Sequence, residues 1–533
     1  MSAPPSTRDY DVICVGGGLG GLAAAALAVR VGARCLVLEA TDLLGGVAVY
    51  SGGSVWMPLN HLQTADPALS DSPELVDRYL SHLGCAGAEV DEDLRATYFG
   101  RGPGIIREYA DLGVNFALAE AGDYYAEAPG AQEFGRTLEV SERLAALGPL
   151  ADRLRRTPYD WGQPAIGPDD PPRADDLLTR GSGLVAAFAR RAFGPGGAEV
   201  ELRARVSRLL VRDGRVGGVQ WVRDGRRFTS RGAAVLLATS GYGSAPWAAR
   251  MEGLVDYAEQ APPVAFGDGL RLAGAVGAEV TRAGNGFFSV GFPSAHEKHP
   301  GTDVPLHLPM VASLAFPHCL VVNAGGERFA DESFSGTFQS CLREYDDEAK
   351  GFRNQPFFFL CDDQYRRNGY RILGLRRDWP DAEFTRADSI GELARRLGID
   401  ADRVRRTVAR FNELARSGVD TDFGRGKQTF MRAMSDPRYA NPMLGELSTP
   451  PFWGVRLVPV GAGLCSHGLR IDPQARVLSW SGEPVAGLYA TGNAVAYTEL
   501  PYGYQNGFAN GRNIVYAGLA VRHALSSASV GAS

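Results

Sequence analysis

Gly503-Tyr504-Gln505-Asn506-Gly507 stands directly before a long apolar stretch, Phe508 to Ala524, that reads as a helix. A tyrosine hydroxyl beside a backbone N–H at a helix start makes an oxyanion pair, and Tyr504 with Gly507 offers one. The first N–H groups of a helix have no intrahelical partner, and the helix dipole favours negative charge there. Such a pair suits a carbonyl oxygen that gains enolate character. A second set of hydroxyls, Tyr124-Tyr125, lies between Gly122 and Gly130, a loop by its Gly and Pro content. Two adjacent tyrosines on a loop are unusual as packing alone, and they offer acid–base groups. His318 and His467 are further candidates, although a lone histidine is more often structural.

The N-terminal stretch carries a different chemistry. Gly16-Gly17-Gly18-Leu19-Gly20-Gly21 fits G-x-G-x-x-G and follows the β-branched run Tyr10 to Val15. An Ala-rich helix, Leu22 to Val31, and a second strand, Arg34 to Leu38, come next, and that strand ends at Glu39. Gly16 permits the tight turn, Gly18 lets backbone approach a pyrophosphate, and Gly21 lets helix pack on strand. The helix N-terminus receives phosphate, and Glu39 accepts from ribose hydroxyls. Two later glycine pairs, Gly45-Gly46 and Gly52-Gly53, let backbone lie against a flat ring system.

These groups need elements to hold them. Residues 72–118 show helical apolar spacing. Glu199 to Val211 and Val216 to Val222 read as strands joined at Asp213-Gly214, and Asp224-Gly225 repeats the hairpin signal. Val235 to Thr239 is a buried strand with a small-residue end. Leu320 to Asn323 and Phe357 to Leu360 are further strands, and Ile390 to Phe411 holds two amphipathic helices. Residues 158–176, rich in Pro, Asp and Gly, read as a surface excursion.

At 533 residues the chain exceeds one core, and two domains are expected. A net charge of −6 leaves no footprint for nucleic acid or an anionic membrane. No apolar run is long enough for a membrane span, and Met1 to Arg8 holds no secretory signal. The seven cysteines form no C-x-x-C and no even framework. The expectation is a cytoplasmic protein without a metal.

The glycine pairs together with Ser51-Gly52-Gly53-x-x-Trp56-x-Pro58-x-Asn60 resemble the succinate dehydrogenase/fumarate reductase flavoprotein superfamily, and within it the FAD-dependent 3-ketosteroid dehydrogenase family. Other stretches carry the same likeness: Asp123 to Gly130 with Gly135-Arg136, Ala238-Thr239, Gly267-Asp268-Gly269, Glu327 to Glu332, Asp420 to Gly426, and Gly487 to Asn493. The resemblance covers most of the chain, thinly at 141–180 and 340–380. It implies an α/β fold: a Rossmann-like FAD-binding domain, discontinuous in sequence at 1–280 and 441–533, with an inserted α+β substrate-capping domain at 281–440. The chain is expected to re-enter the first domain at Pro451-Phe452-Trp453. The FAD is expected to be non-covalent, because Val47 to Tyr50 lacks the His that tethers it in some superfamily members. Implied cofactor contacts are Gly16, Gly18, Gly20, Gly21, Glu39, Ala40, Gly45, Gly46, Ser51, Gly52, Gly53, Val206, Ala238, Thr239, Asp268, Gly492, Asn493, Phe508 and Ala509.

The implied reaction desaturates the bond α,β to a ring ketone, with hydride passing to flavin N5 and the ketone oxygen held by Tyr504 and the Gly507 N–H. Tyr124 matches the family tyrosine that lines the substrate site, and Tyr125 adjoins it. The family base position falls on Gly336, flanked by Ser335 and Thr337, so Tyr124, Tyr125, a water or one of the two histidines must replace it. The alternatives are a smaller cyclic ketone, such as a cyclohexanone derivative, and an ene-reductase running the reverse chemistry. Fumarate reductases carry an Arg where Tyr504 stands, which disfavours a dicarboxylate. The electron acceptor is not legible.

Overall fold

The structure is a computed structural model that describes residues 9–83, 90–158, 177–284, 286, 288–310, 312–370, 372, 381–501 and 503–530. The excursion expected at 158–176 lies almost wholly outside the described residues, as does Tyr502.

The first sheet follows from the buried apolar runs of the sequence. Asp9–Val15 pairs in parallel with Cys35–Leu38 on one side and with Arg226–Leu237 on the other. Glu199–Glu201 and Pro484–Ala490 extend the parallel sheet at either end. Strands covered on both faces read as continuous apolar runs, as Ile13-Cys14-Val15 and Leu36-Val37-Leu38 do. The helices Leu19–Arg30, Arg180–Ala192 and Phe508–Val530 pack beside one another, the first between the other two. The hairpin of Arg205–Arg212 and Arg215–Arg223 joins this sheet through Arg226–Leu237, with turns at the two Asp-Gly pairs. Strands from both ends of the chain therefore share one sheet.

The second sheet has seven strands. Pro305–Pro309, Phe288–Lys298, Phe452–Gly461, Phe357–Asp362 and Cys319–Asn323 run across it in that order. Ala258–Glu259 and Thr385–Ala387 also pair with Phe452–Gly461. From Pro451 the chain does not pair at once with the first sheet, because Phe452–Gly461 is the central strand of the second. Ala258–Glu259 likewise joins the second sheet well before residue 281. A buried apolar run announces a strand but not the sheet that receives it.

Ile390–Leu397 and Ala401–Ser417 are the two amphipathic helices expected. Ser389 and Asp400 cap their N-termini, and their apolar faces close over Leu320, Val322, Phe358 and Leu360. Among the described residues no helix is long and apolar enough to cross a membrane, and no cluster of metal-ligating side chains occurs.

Candidate active site

The turn after the first strand sets one end of the site. Gly16 has φ +109°, and a Cβ there would lie 2.4 Å from the Ala238 carbonyl oxygen. Only a residue without a side chain lets the two strand ends meet so closely. A Cβ on Gly21 would lie 2.0 Å from the Gly16 carbonyl, so helix and strand touch as backbone. Glu39 accepts from the N–H groups of Gly17 and Thr41, each at 2.8 Å, and from the Thr41 hydroxyl at 2.9 Å. A carboxylate has about four acceptor positions, so capacity is left for a further donor. The helix Leu19–Arg30 begins at Gly18 with no side-chain cap, which leaves its first N–H groups for an anion.

A cavity of about 400 Å³ runs from this cradle to the tyrosines. Of the residues expected at the cofactor, Gly16, Gly18, Gly20, Glu39, Ala40, Gly46, Ser51, Gly52, Gly53, Val206, Ala238, Thr239, Asp268, Asn493 and Ala509 line it, as do Tyr504, Gly507 and Tyr124. Gly21, Gly45, Gly492 and Phe508 do not. Gly45 donates to the Gly17 carbonyl at 2.8 Å and ties the two glycine turns together. A side chain on Gly492 would meet Asn513. The Phe508 ring is fully buried among Trp56, Tyr98, Phe99 and Tyr497. Tyr125 lines a second, smaller cavity instead.

The cavity fits a flavin dinucleotide by its own features. Thr239 Oγ1 and Asn493 Oδ1 are buried without a hydrogen-bond partner among the described residues, and both residues line the wall. Buried polar atoms are rarely left so, and a bound group with donors satisfies them.

The other end of the cavity is made by side chains from distant segments. Gly507 has φ +87°, and a Cβ there would lie 2.8 Å from the Trp56 nitrogen. Its carbonyl accepts the Trp56 N–H at 3.1 Å, and the Trp56 indole donates to Asp123 at 2.8 Å. Gln505, fully buried, accepts from the Tyr79 hydroxyl at 2.5 Å and from the Tyr124 N–H at 3.1 Å. The Tyr79 oxygen in turn accepts the Tyr125 N–H at 3.2 Å. Arg136 pairs with Asp71 and with Asp123, each at 2.7 Å, all three out of solvent. Thus the tyrosine loop and the Tyr504–Gly507 turn are cross-tied twice, through Trp56 and through Gln505.

The Tyr124 ring packs 4.9 Å from both Phe334 and Phe430 and 6.1 Å from Tyr504. Burial, with Tyr124 as a lesser cause, pushes the Tyr504 phenol well above its ordinary range. Two stretches of the resemblance meet behind this wall: Arg328 binds Glu332 and Asp420, and Arg425 binds Glu332 at 2.8 Å. Arg425 also donates to the Leu314 and Phe316 carbonyls and so holds a segment that lines the cavity. The wall next to this segment is apolar, with Ala312, Phe430, Met431 and Met434.

Neither histidine lines the cavity. The His318 ring nitrogens contact the Glu446 carbonyl and the Tyr439 hydroxyl, each at 2.7 Å. His467 Nδ1 contacts Ser466 and Tyr242, and burial lowers its pKa. Sequence reasoning missed Arg180, Gln260, Asn506, Asn510 and Asn513, all of which line the cavity. The three asparagines carried a signal: polar residues at helical spacing along the start of a buried apolar helix. Arg180 and Gln260 carried none.

Against known proteins, the chain matches the model of the FAD binding domain over residues 11–506. It is 33% identical to 4-oxocyclohexanecarboxylate 2-dehydrogenase of Sinomonas cyclohexanicum, over 94% of this chain and 89% of that one. It is 28% identical to 3-oxosteroid 1-dehydrogenase of Mycobacterium tuberculosis, over 92% and 94%. The fold superposes on the crystal structure of 3-ketosteroid Δ1-dehydrogenase from Sterolibacterium denitrificans in complex with 1,4-androstadiene-3,17-dione. That match has a TM-score of 0.84 and 25% identity, over 98% of this chain and 100% of that one.

Proposed function

We propose that this chain, which belongs to the FAD binding domain family, is an FAD-dependent dehydrogenase that introduces a double bond α,β to a ring ketone. The observation that carries the reading is the continuity of one cavity from the glycine cradle to Tyr124, Tyr504 and Gly507. Relatives named for a ring-ketone acid and for 3-oxosteroids support it. The first sheet, with strands from both chain ends, is read as a discontinuous Rossmann-like FAD-binding domain. The second sheet and its helices are read as the capping domain, with the return placed after Gly461.

Bound FAD supplies the hydride acceptor. Gly16, Gly18 and Glu39 hold its diphosphate and ribose, and Asn493 and Thr239 offer buried polar atoms to the rest. The binding is non-covalent, since the stretch Val47 to Tyr50 before the second glycine pair holds no His. Tyr504 donates its O–H, and Gly507 its N–H, to the ketone oxygen. Burial keeps Tyr504 protonated, so it stays a donor at alkaline pH. Tyr124 sits across the cavity from Tyr504 and takes the α-proton. The apolar wall of Phe316, Phe430, Met431 and Met434 receives the ring carbons.

The test is anaerobic mixing of the yellow protein with 4-oxocyclohexanecarboxylate, cyclohexanone and 4-androstene-3,17-dione, following the flavin absorbance. Bleaching by at least one ketone is expected. Absence of bleaching by all three, with fumarate reoxidising the reduced protein, would overturn the reading in favour of a reductase.

A further inference from the structure

We propose that Tyr125 and the small cavity beside it form the proton outlet of this site, carrying the substrate proton from Tyr124 to solvent past Gly336. The proposal rests on the reading of Tyr124 as the group that takes that proton.

The second cavity measures about 60 Å³ and adjoins the first. Tyr124 and Tyr504 line both, whereas Tyr125 lines only the second. The far wall is Gly336, Gln339 and Ser340, and Gly336 and Ser340 are exposed. The Tyr125 hydroxyl lies 3.4 Å from where a Cβ of Gly336 would stand. The same Cβ would lie 2.7 Å from the Phe334 ring, so the lack of a side chain at 336 is what lets this wall approach Phe334 and Tyr125 so closely. The volume accommodates water, and four tyrosines with Gln339 and Ser340 bring polar groups to its lining.

The chemistry requires such a space. A neutral phenol accepts a proton only if it gives up its own. Tyr124 packs against Phe334 and Phe430, which do nothing to stabilise a lasting phenolate. In the balanced step the α C–H bond breaks and an O–H bond forms on Tyr124. The former Tyr124 proton moves to a water in the small cavity, and through Tyr125 and further water to solvent. The C–H electron pair stays with the substrate as the enolate, and FAD, when bound, would supply the acceptor for the β-hydride. The other titratable groups at this wall are Cys465 and Tyr497, both held neutral by burial. Glu252 lies behind Gly286, bonded to Tyr242 and paired with Arg343.

The experiment is anaerobic stopped-flow reduction of the holoenzyme in H₂O and D₂O, with 4-oxocyclohexanecarboxylate or 4-androstene-3,17-dione as the probe, whichever bleaches the unaltered protein. Tyr125→Phe is expected to slow reduction by ~10- to 100-fold and to enlarge the solvent isotope effect. Flavin content and probe affinity should stay within about twofold. Ser340→Val, at the exposed end, is expected to move both readouts the same way by less, and it decides the matter if Tyr125→Phe does not fold. A normal rate in Tyr125→Phe, or a slow rate with an unchanged isotope effect, overturns the outlet. A near-normal Tyr124→Phe would instead overturn the base assignment. An inactive Tyr124→Phe beside a normal Tyr125→Phe sinks the outlet alone.

Discussion

At the cradle end of the cavity the wall is rich in backbone, Gly16, Gly18, Gly46, Gly52 and Gly53, with Glu39 among its acidic side chains. At the ketone end it is side chains, Tyr124, Tyr504, Phe430 and Met431, brought from three separate stretches of chain. The cradle depends on residues that take up no room, and its failure mode is a clash. The ketone end depends on cross-ties, and its failure mode is a small misplacement of hydroxyls that leaves the fold standing. The two regions should therefore break differently.

The largest effect is expected at Gly16→Ala. The new methyl would meet the Ala238 carbonyl at 2.4 Å from a backbone at φ +109°. Strain and displacement together should cost at least about 3 kcal/mol. The variant should emerge colourless, with a lowered unfolding midpoint. A yellow protein of normal stability would show that the cradle is not built by close backbone contact.

Tyr504→Phe should do the opposite. If Tyr504 donates to the ketone oxygen as proposed, the variant loses that donor and should slow flavin reduction by about 10²–10³, with flavin content and thermal midpoint unchanged. Reduction within a few-fold of normal would take Tyr504 out of the chemistry.

The difference between the regions also explains what the sequence made legible. Gly16 to Glu39 is one contiguous pattern, so strand, turn, helix and acid were readable in order, even though Gly16 also answers to the distant Ala238 carbonyl. The Asp-Gly hairpins and the two amphipathic helices that begin at Ile390 were readable for the same reason. Phe452–Gly461 was not, because its sheet is chosen by pairing with Phe288–Lys298 and Phe357–Asp362, far away in sequence. Tyr124 and Tyr504, which both line the cavity, were singled out through chemistry and resemblance. The groups that hold them, Gln505 with Tyr79 and Trp56 with Asp123, meet only in three dimensions and leave no local periodicity.

Glu259 tests the border between the regions. It lies in a strand of the second sheet, and the next two residues, Gln260 and Ala261, line the cavity. Burial pushes its carboxyl up to about 7 from the usual 4.5, against N–H groups of Ala261 and Gly463 that lower it. The folded chain keeps this proton where the unfolded chain has released it. Its contribution to stability is therefore full below pH ~4.5 and is lost as pH rises to about 7, by up to ~3 kcal/mol. Glu259→Gln keeps an acceptor and carries no charge. It should be more stable than the unaltered protein at pH 8, by about 1–3 kcal/mol, and equal to it near pH 4.5. Urea unfolding at both values checks this, and a variant that is no more stable at pH 8 would mean that Glu259 ionises without penalty.

The smallest effect sharpens the comparison most. Tyr79 touches neither cavity, yet its hydroxyl donates to Gln505 and accepts the Tyr125 N–H. Tyr79→Phe keeps the buried ring under Arg136 and removes only the oxygen. The Gln505 carbonyl then loses one of its two donors and the Tyr125 N–H loses its acceptor, a cost of about 1–3 kcal/mol locally. If the cross-tie sets the spacing of Tyr124 and Tyr504, part of that cost should appear as a roughly 10-fold lower kcat with little change in KM, and flavin content should hold. A merely structural role would lower stability and leave kcat alone. The double variant with Tyr124→Phe separates the two: residues that act through one another give non-additive effects. Tyr79→Phe should therefore slow the Tyr124→Phe protein by much less than it slows the unaltered one. Full additivity would mean that Tyr79 acts somewhere other than through the tyrosine loop. The ketone end would then be positioned by Trp56 and Asp123 rather than by Gln505.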